Sequence, residues 1–325
     1  MSWKDRFLSS YTVVSEEQAA RLQTPDRTCY TVGVRPPPSS DGPGTLDDFV
    51  QSILEIQTRW FGLRNTSPII AFEVVRPVSE SLRFQFVVPT KRLERKVRTQ
   101  LSDEIPDVGF DSGLGGLPIS EGDSIGGGLL TAGEEDWYPF RTDFSSPPTN
   151  ALAALLHRHA IRDTNVVAQV LFQPLSSRSL RNRLWRRRAV KQRDYLRREK
   201  EKIWGSRSPT RREKRQADAV DTKIGTSRFW VCIRFLVVGA GEFTLSRVKE
   251  LAGGFNRFEN PETGQYFNMV VLRRLRRPLF VDFGRAVVDR RFGGWSRRFR
   301  CSAAELAGMI SVPDRSQRNI QTGKP

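Results

Sequence analysis

Phe229-Trp230-Val231-Cys232-Ile233-Arg234-Phe235-Leu236-Val237-Val238 is the most strongly β-forming stretch of this 325-residue chain. Its β-branched and aromatic residues suit a pleated, half-buried surface. It leads through a glycine turn into a helical pattern over Leu245–Phe255, and a further strand is expected over Tyr266–Leu275. The same order occurs earlier. Arg83-Phe84-Gln85-Phe86-Val87-Val88-Pro89-Thr90 alternates apolar and polar residues and opens a charged helix over Lys91–Leu101, with Thr90 as its cap. Ile69–Val75 lies just before it as a hairpin partner, and Asp107–Phe110 follows as a short strand.

Nearer the N-terminus, Thr45 and the Asp47/Asp48 pair open a helix expected over Leu46–Trp60, on the apolar stripe of Phe49, Ile53, Ile56 and Phe61. The Pro/Gly-rich run Pro36–Gly44 before it has linker composition. Ser112–Gly133 is glycine-rich and reads as a loop, with Gly126-Gly127-Gly128 supplying flexibility, and Trp137–Phe140 as an edge strand. Asn150–Ala160 reads as a helix capped by Thr149 or Asn150, and Asn165–Phe172 as a strand. A long helix is then expected over Ser179–Ile203 and a basic connector over Gly205–Thr226. Leu279–Phe283 has the alternation of a sheet core, with Phe280 assigned to the interior and Trp295 left open. Ser302-Ala303-Ala304-Glu305 is a capping box that opens a final helix to Ile310.

The expected fold class is therefore α+β, as two ferredoxin-like αββαβ modules with a long basic helical insertion in the second. The boundaries are an extension and linker over 1–44, a first module over 45–145, a second over 146–311 with the insertion at 178–226, and a tail over 312–325.

Charge separates the halves. The whole chain carries +17; residues 1–150 sum to −6 and residues 151–325 to +23. Such asymmetry points to an acidic partner, either nucleic acid, anionic lipid or an acidic protein, and its bland counterpart is a set of solvated faces. Residues 178–223 hold 18 Lys/Arg against six acids. The candidate nucleic-acid contacts there are Arg181, Arg183, Arg186, Arg187, Arg188, Lys191, Arg193, Arg197, Arg198, Lys200 and Lys202. A helix charged nearly all round bridges solvent or lies against a partner. Arg297 and Arg298 join the candidates from the second basic run, Arg273–Arg300, where aromatics interleave with arginines as in single-strand binders.

Catalytic chemistry has little support, and no catalytic residue, cofactor or metal site is expected. Gly239-Ala240-Gly241-Glu242-Phe243-Thr244 follows a strand and precedes a helix, but Thr244 stands where a dinucleotide fingerprint needs glycine. The alternative reading is nonetheless a nucleotide-binding enzyme using this turn. The only Gly-Lys pair, Gly323-Lys324, does not make a P-loop. His157 and His159 are two apart on a helix and cannot share a face. Cys29, Cys232 and Cys301 have no metal-ligand spacing, and Cys232 reads as an inert core thiol. The longest apolar stretch, Phe229–Ala240, is too short to span a bilayer. A cytoplasmic protein is expected, with recruitment to the inner face of the membrane as the variant in which the basic helix lies on anionic lipid.

The order of elements has a further implication. The strand pair ending Phe86-Val87-Val88-Pro89, the stretch Pro147–Leu155 and the following Val167–Pro174 resemble the non-motor region of conjugative type IV secretion DNA-transfer ATPases, of the HerA/FtsK-like family. In that family a basic helical segment separates this region from a strand and helix like Trp230–Val238 and Leu245–Phe255 here, and the block closes with a stretch like Ser302–Ile310. The resemblance spans about residues 45–313 and is one of layout, with none of the motor's motifs present. It implies a non-catalytic accessory or adaptor module of a conjugation-like apparatus. Such a module would bind DNA or another acidic surface and a separate motor ATPase, with room for an oligomer.

Overall fold

The computed structural model describes residues 9–37, 43–60, 64–78, 81–157, 164–176, 179–201, 206–273, 278–293, 295–315, 317 and 320–322. The chain begins β1 (Tyr11–Val13), α1 (Glu16–Gln23), β2 (Tyr30–Arg35), α2 (Asp47–Ser52), and the two-residue strands β3 (Thr58–Arg59) and β4 (Arg64–Asn65). Next come β5 (Ile70–Arg76), β6 (Arg83–Val88), α3 (Lys91–Glu104), β7 (Gly109–Asp111), β8 (Ser124–Ala132), α4 (Thr149–Leu156) and β9 (Asn165–Pro174). Then follow α5 (Leu180–Arg197), β10 (Lys200–Glu201), β11 (Ser206–Arg207), α6 (Arg211–Gly225) and β12 (Arg228–Val238). The chain closes with α7 (Thr244–Gly253), β13 (Phe267–Val271), α8 (Pro278–Val288), β14 (Phe299–Ser302) and α9 (Ala303–Met309).

The class is α+β, built on one antiparallel sheet of ten strands among the described residues. Its order is β1-β8-β12-β9-β5-β6-β2-β7, with β13 also on β8 and β14 also on β12. Two halves of the sheet repeat one arrangement. In β2, β5, β6, β7 the first strand lies between the third and the fourth, and the second lies outside the third. In β8, β9, β12, β13 the same holds. The halves meet edge to edge through their second strands, from Ile70 opposite Phe172 to Arg76 opposite Val166.

Period-two alternation gives the sheet two different faces. One face carries Phe72, Val74, Phe84, Phe86, Val170, Phe172, Val231, Ile233 and Phe235. Helices α2, α3, α4, α7 and α9 bury it with Phe49, Leu93, Val97, Leu152, Leu251 and Leu306. Each such side chain contributes about 1.5–3 kcal/mol by leaving water. Thr90 caps α3 by accepting from the Leu93 amide, as its sequence position implies. On the other face α8 and α1 lie over Ile125, Leu236 and Val238 through Phe280, Phe283 and Leu22.

Several elements differ from the sequence reading. Residues 9–35, read as part of an extension, hold β1, α1 and β2. The helix expected over Leu46–Trp60 stops at Ser52: Ile53 is buried, Ile56 faces solvent, and the chain turns into β3 and β4. The glycine-rich stretch expected as a loop contains β8, the first strand of the second half. Its glycines are required by close approach, not flexibility. A Cβ on Gly127 would stand 2.2 Å from the Phe235 carbonyl oxygen, and one on Gly128 would stand 2.5 Å from Val248. Trp137–Phe140 forms turns rather than an edge strand, with Phe140 stacked 4.1 Å from Phe267 in the core. The long helix expected over Ser179–Ile203 ends at Arg197, and Ile203 lies outside the described residues.

The connector expected over Gly205–Thr226 is largely helix α6, opened by a Thr210–Glu213 capping box. Leu279–Phe283 lies in helix α8 rather than a strand, although Phe280 is buried as expected. The Ser302–Glu305 capping box forms as read. The C-terminal stretch is not all free of the core, since Val312 is buried and Ile320 bridges to Leu82.

Candidate nucleic-acid interface

α5 and α6 form a hairpin inserted between β9 and β12. Its inner seam is small and apolar, with Trp185 and Ala189 of α5 against Val220 and Ile224 of α6, and Trp137 and Tyr138 at the side. With so little apolar surface, α5 turns its charges outward. The hairpin is tied to the body by Lys223, whose ammonium meets the Glu305 carboxylate at 2.9 Å with both side chains buried. The same carboxylate accepts from the amides of Ser302 and Phe140.

The candidate basic residues divide into two groups. Arg193 pairs with Asp221 at 2.6 Å and Arg197 with Asp218 at 2.9 Å, while Lys200 bonds Glu213. Acids of α6 thus neutralise these three, a pairing hidden in the sequence because 205–226 has the composition of a basic connector. Arg181, Arg183, Arg186, Arg187, Arg188, Lys191 and Arg198 are exposed and make no ion pair among the described residues. Lys202 lies outside the described residues. Leu180, Leu184 and Tyr195 are also exposed between these cations.

At the α5 N-terminus the basic surface meets the sheet. Arg228 lies 4.5 Å from the Trp185 ring, and Arg300 lies 5.5 Å from Trp185 and 4.2 Å from Trp230. Arg298 lies 5.2 Å from Trp230 and 5.1 Å from Phe292. The result is a ladder of alternating guanidinium groups and aromatic rings. Its anchor is Asp136, which accepts from the Trp185 indole, the Arg300 amide and the Arg300 guanidinium. Arg228 donates to the Lys223 and Ile224 carbonyls at the end of α6, where a cation is favoured.

The ladder is short of negative charge. Burial, with repulsion from Arg300 and Arg186, pulls Arg228 down to about 10. Burial and then Arg181 lower Arg298. Burial lowers Arg300 as well, against the opposing pull of Asp136. Of the two candidates from the second basic run, Arg298 joins the ladder and both it and Arg297 are exposed.

A second polar feature lies at the join of the halves. Gln85, Glu73, Gln169 and Arg234 stand opposite one another across β6, β5, β9 and β12. All four are buried. Glu73 accepts from both Gln85 and Gln169 at 2.7 Å and pairs with Arg290 at 2.9 Å. Burial would raise the Glu73 carboxyl, but the Arg290 charge and these donors outweigh it and hold it below the usual range. Arg234 is satisfied by Gln169, Ser296 and the carbonyls of Ala286 and Arg291. The signal was present in the sequence as one polar residue at the middle of each of four apolar strands.

The Gly239–Gly241 turn does not present free amides to a phosphate. The Gly239 N–H donates to the Ser124 carbonyl at 2.8 Å and the Gly241 N–H to the Ser124 hydroxyl at 2.7 Å. Burial raises the Cys232 thiol, in line with an inert core position. No described helix is long and apolar enough to cross a membrane. Compared with known families, residues 4–325 match the model of DUF8128, described as a domain of unknown function. No curated protein matches the chain.

Proposed function

The chain belongs to the DUF8128 family, a domain of unknown function, and from its own side chains we propose that it is a non-catalytic nucleic-acid-binding module. The supporting observation is the outer face of α5 and its C-terminal end, where seven exposed Lys/Arg, six on the helix from Arg181 to Lys191 and Arg198 just after it, lack acidic partners among the described residues. Mobile cations of this kind bind phosphates, with affinity supplied by counterion release. The scaffold reading is of two ferredoxin-like modules joined at their second strands. What supports it is the repeated strand order and the placement of the helical hairpin between the second and third strands of one half.

The resemblance of layout extends the proposal to an adaptor of a conjugation-like DNA-transfer apparatus, cytoplasmic and docked to a separate motor ATPase. The test is DNA binding by the full chain across a salt series. Affinity should fall steeply with salt, and Arg186→Glu, Arg187→Glu and Arg188→Glu together should weaken it about tenfold or more. Salt-independent binding, or binding untouched by the triple reversal, removes the proposal. Exposed Leu180, Leu184 and Tyr195 among the cations favour a second reading, an anionic membrane surface. Co-sedimentation with vesicles containing acidic phospholipid, set against neutral ones, separates the two.

A further inference from the structure

The ladder lies where the sheet's second face loses its cover. Strand alternation puts Trp230 and Arg300 on the same face as Glu73 and Arg234. The segment after α8 closes over Arg234 through Arg291 and Ser296. Phe292 of that segment is only half-buried, as are Ile69, Gln173 and Trp230 beyond it. Gln173 stands opposite Trp230 and donates to the Ser67 carbonyl at 2.8 Å. Ser67 in turn lines a cleft of about 360 Å³ with Arg27, Ile69, Thr90 and Arg290 among its walls. A strip therefore runs from this cleft past Gln173 to Trp230 and Arg298, and Arg181, in the first turn of α5, stands close enough to Arg298 to repel its charge.

The chemistry along the strip is mixed in a particular way. Arg181 and Arg298 are exposed and have no carboxylate partner among the described residues. Arg300 is nearly buried, and its Nε has no hydrogen-bond acceptor. Asp136 is the acid that the ladder holds, and the guanidinium groups beside it outnumber it. Between the cations lie partly exposed rings. A duplex offers phosphates but keeps its bases stacked inside, and a phospholipid headgroup offers no aromatic ring to stack. A single strand offers both in alternation.

We propose that this strip binds single-stranded nucleic acid, with backbone phosphates on Arg181 and Arg298 and bases stacked against Trp230 and Phe292. It rests on the nucleic-acid reading above and specifies the strand state that reading leaves open. Aromatic platforms beside a cationic track are the usual solution for unpaired strands, and each stacked base adds affinity.

The experiment measures binding of the full chain to a labelled oligo-dT strand and to a blunt duplex of equal length. It compares wild type with Arg298→Gln, Arg181→Gln, Trp230→Leu and Phe292→Leu, with circular dichroism to verify folding. The proposal expects tighter single-strand than duplex binding at equal salt. It also expects about a tenfold loss of single-strand affinity in Trp230→Leu or Phe292→Leu, with duplex binding unchanged. If Trp230→Leu fails to fold, the exposed-site variant Arg298→Gln and the rim variant Phe292→Leu decide. Wild-type single-strand affinity in both, with binding lost only on reversal of Arg186, Arg187 and Arg188, overturns the strip and leaves the α5 interface standing. Binding to neither nucleic acid, including capture by acidic vesicles alone, overturns both.

Discussion

The two halves of the sheet share one strand order and differ at one connection. In the first half the second and third strands, β5 and β6, are joined by residues 77–82. In the second half the corresponding strands, β9 and β12, are joined by residues 175–227, which contain the basic hairpin. The strand register is the same kind of antiparallel ladder in both. The sheet therefore does not depend on what fills this connection. The connection also localises the charge, since the hairpin lies in the part of the chain that carries +23 while residues 1–150 carry −6. A surplus of like charge is easier to place on an outlying hairpin, where water screens it, than on a packed layer.

The halves also differ where they meet. Glu73 and Gln169 face each other, with Gln85 beside one and Arg234 beside the other. The two halves thus put different polar groups at matching places, and together these make one hydrogen-bonded row. Glu73→Ala breaks it most severely. Arg290, whose side chain is nearly buried, would be left without its carboxylate, a loss of about 3–5 kcal/mol. Urea unfolding should show a lower midpoint but still one transition, because the halves share the sheet; two separated transitions would show that they unfold independently.

Next in size is the tie between the hairpin and the body. Lys223→Met leaves the buried Glu305 carboxylate without its cation and should cost about 3 kcal/mol, read from the same unfolding curves. A smaller cost would mean that the amides of Ser302 and Phe140 hold Glu305 alone.

Gly127→Ala sharpens the contrast in β8. Its Cβ would meet both Phe235 and Phe283, and overpacking of this kind costs about 1–3 kcal/mol. Gly115→Ala, whose Cβ would meet nothing within 4 Å, is the control and should be neutral in thermal melts.

The pH dependence is smaller per step. Glu73 is lowered in the folded protein from an ordinary value of 4.5. Its contribution is therefore present above pH 4.5 and is lost as pH falls from there through the folded value. The slope should be at most about 1.4 kcal/mol per pH unit for this one group. Glu73→Gln should flatten that part of the acid-unfolding profile, and an unchanged profile would assign the acid sensitivity to other carboxylates. Least of all, Arg183→Ala should leave the unfolding midpoint where it is while weakening DNA binding, because its side chain is exposed and makes no ion pair among the described residues.

Much of the local structure was legible. The strands over Ile70–Arg76, Arg83–Val88, Asn165–Pro174 and Arg228–Val238 follow from β-branched and aromatic runs. The starts of α3 and α9 follow from Thr90 and Ser302, because a hydroxyl beside free amides is a local interaction. What was missed has a common cause. Ser124–Ala132 contains three consecutive glycines, which weaken the strand propensity of Ile125 and Thr131 around them. Neighbours on both sides, with the contacts at Phe235 and Val248, hold it in place. α6 has a capping box, but its high charge hid the stripe of Ala217, Val220 and Ile224 that packs on α5.

The site divides along the same line. The strong basicity of the second half, the helix that carries Arg181 to Arg197, and the α+β class can all be read from the chain alone. Charge count, helical periodicity and strand alternation are properties of neighbours in the chain. Which cations are free depends on how the chain packs. Arg193, Arg197 and Lys200 are neutralised by α6, whereas Arg298 is brought beside Trp230 from a segment more than a hundred residues away from α5's first turn. The fully buried row at the join likewise exists only when four strands come into register. Ion pairing and stacking depend on distance in space, and a linear sequence records only distance along the chain.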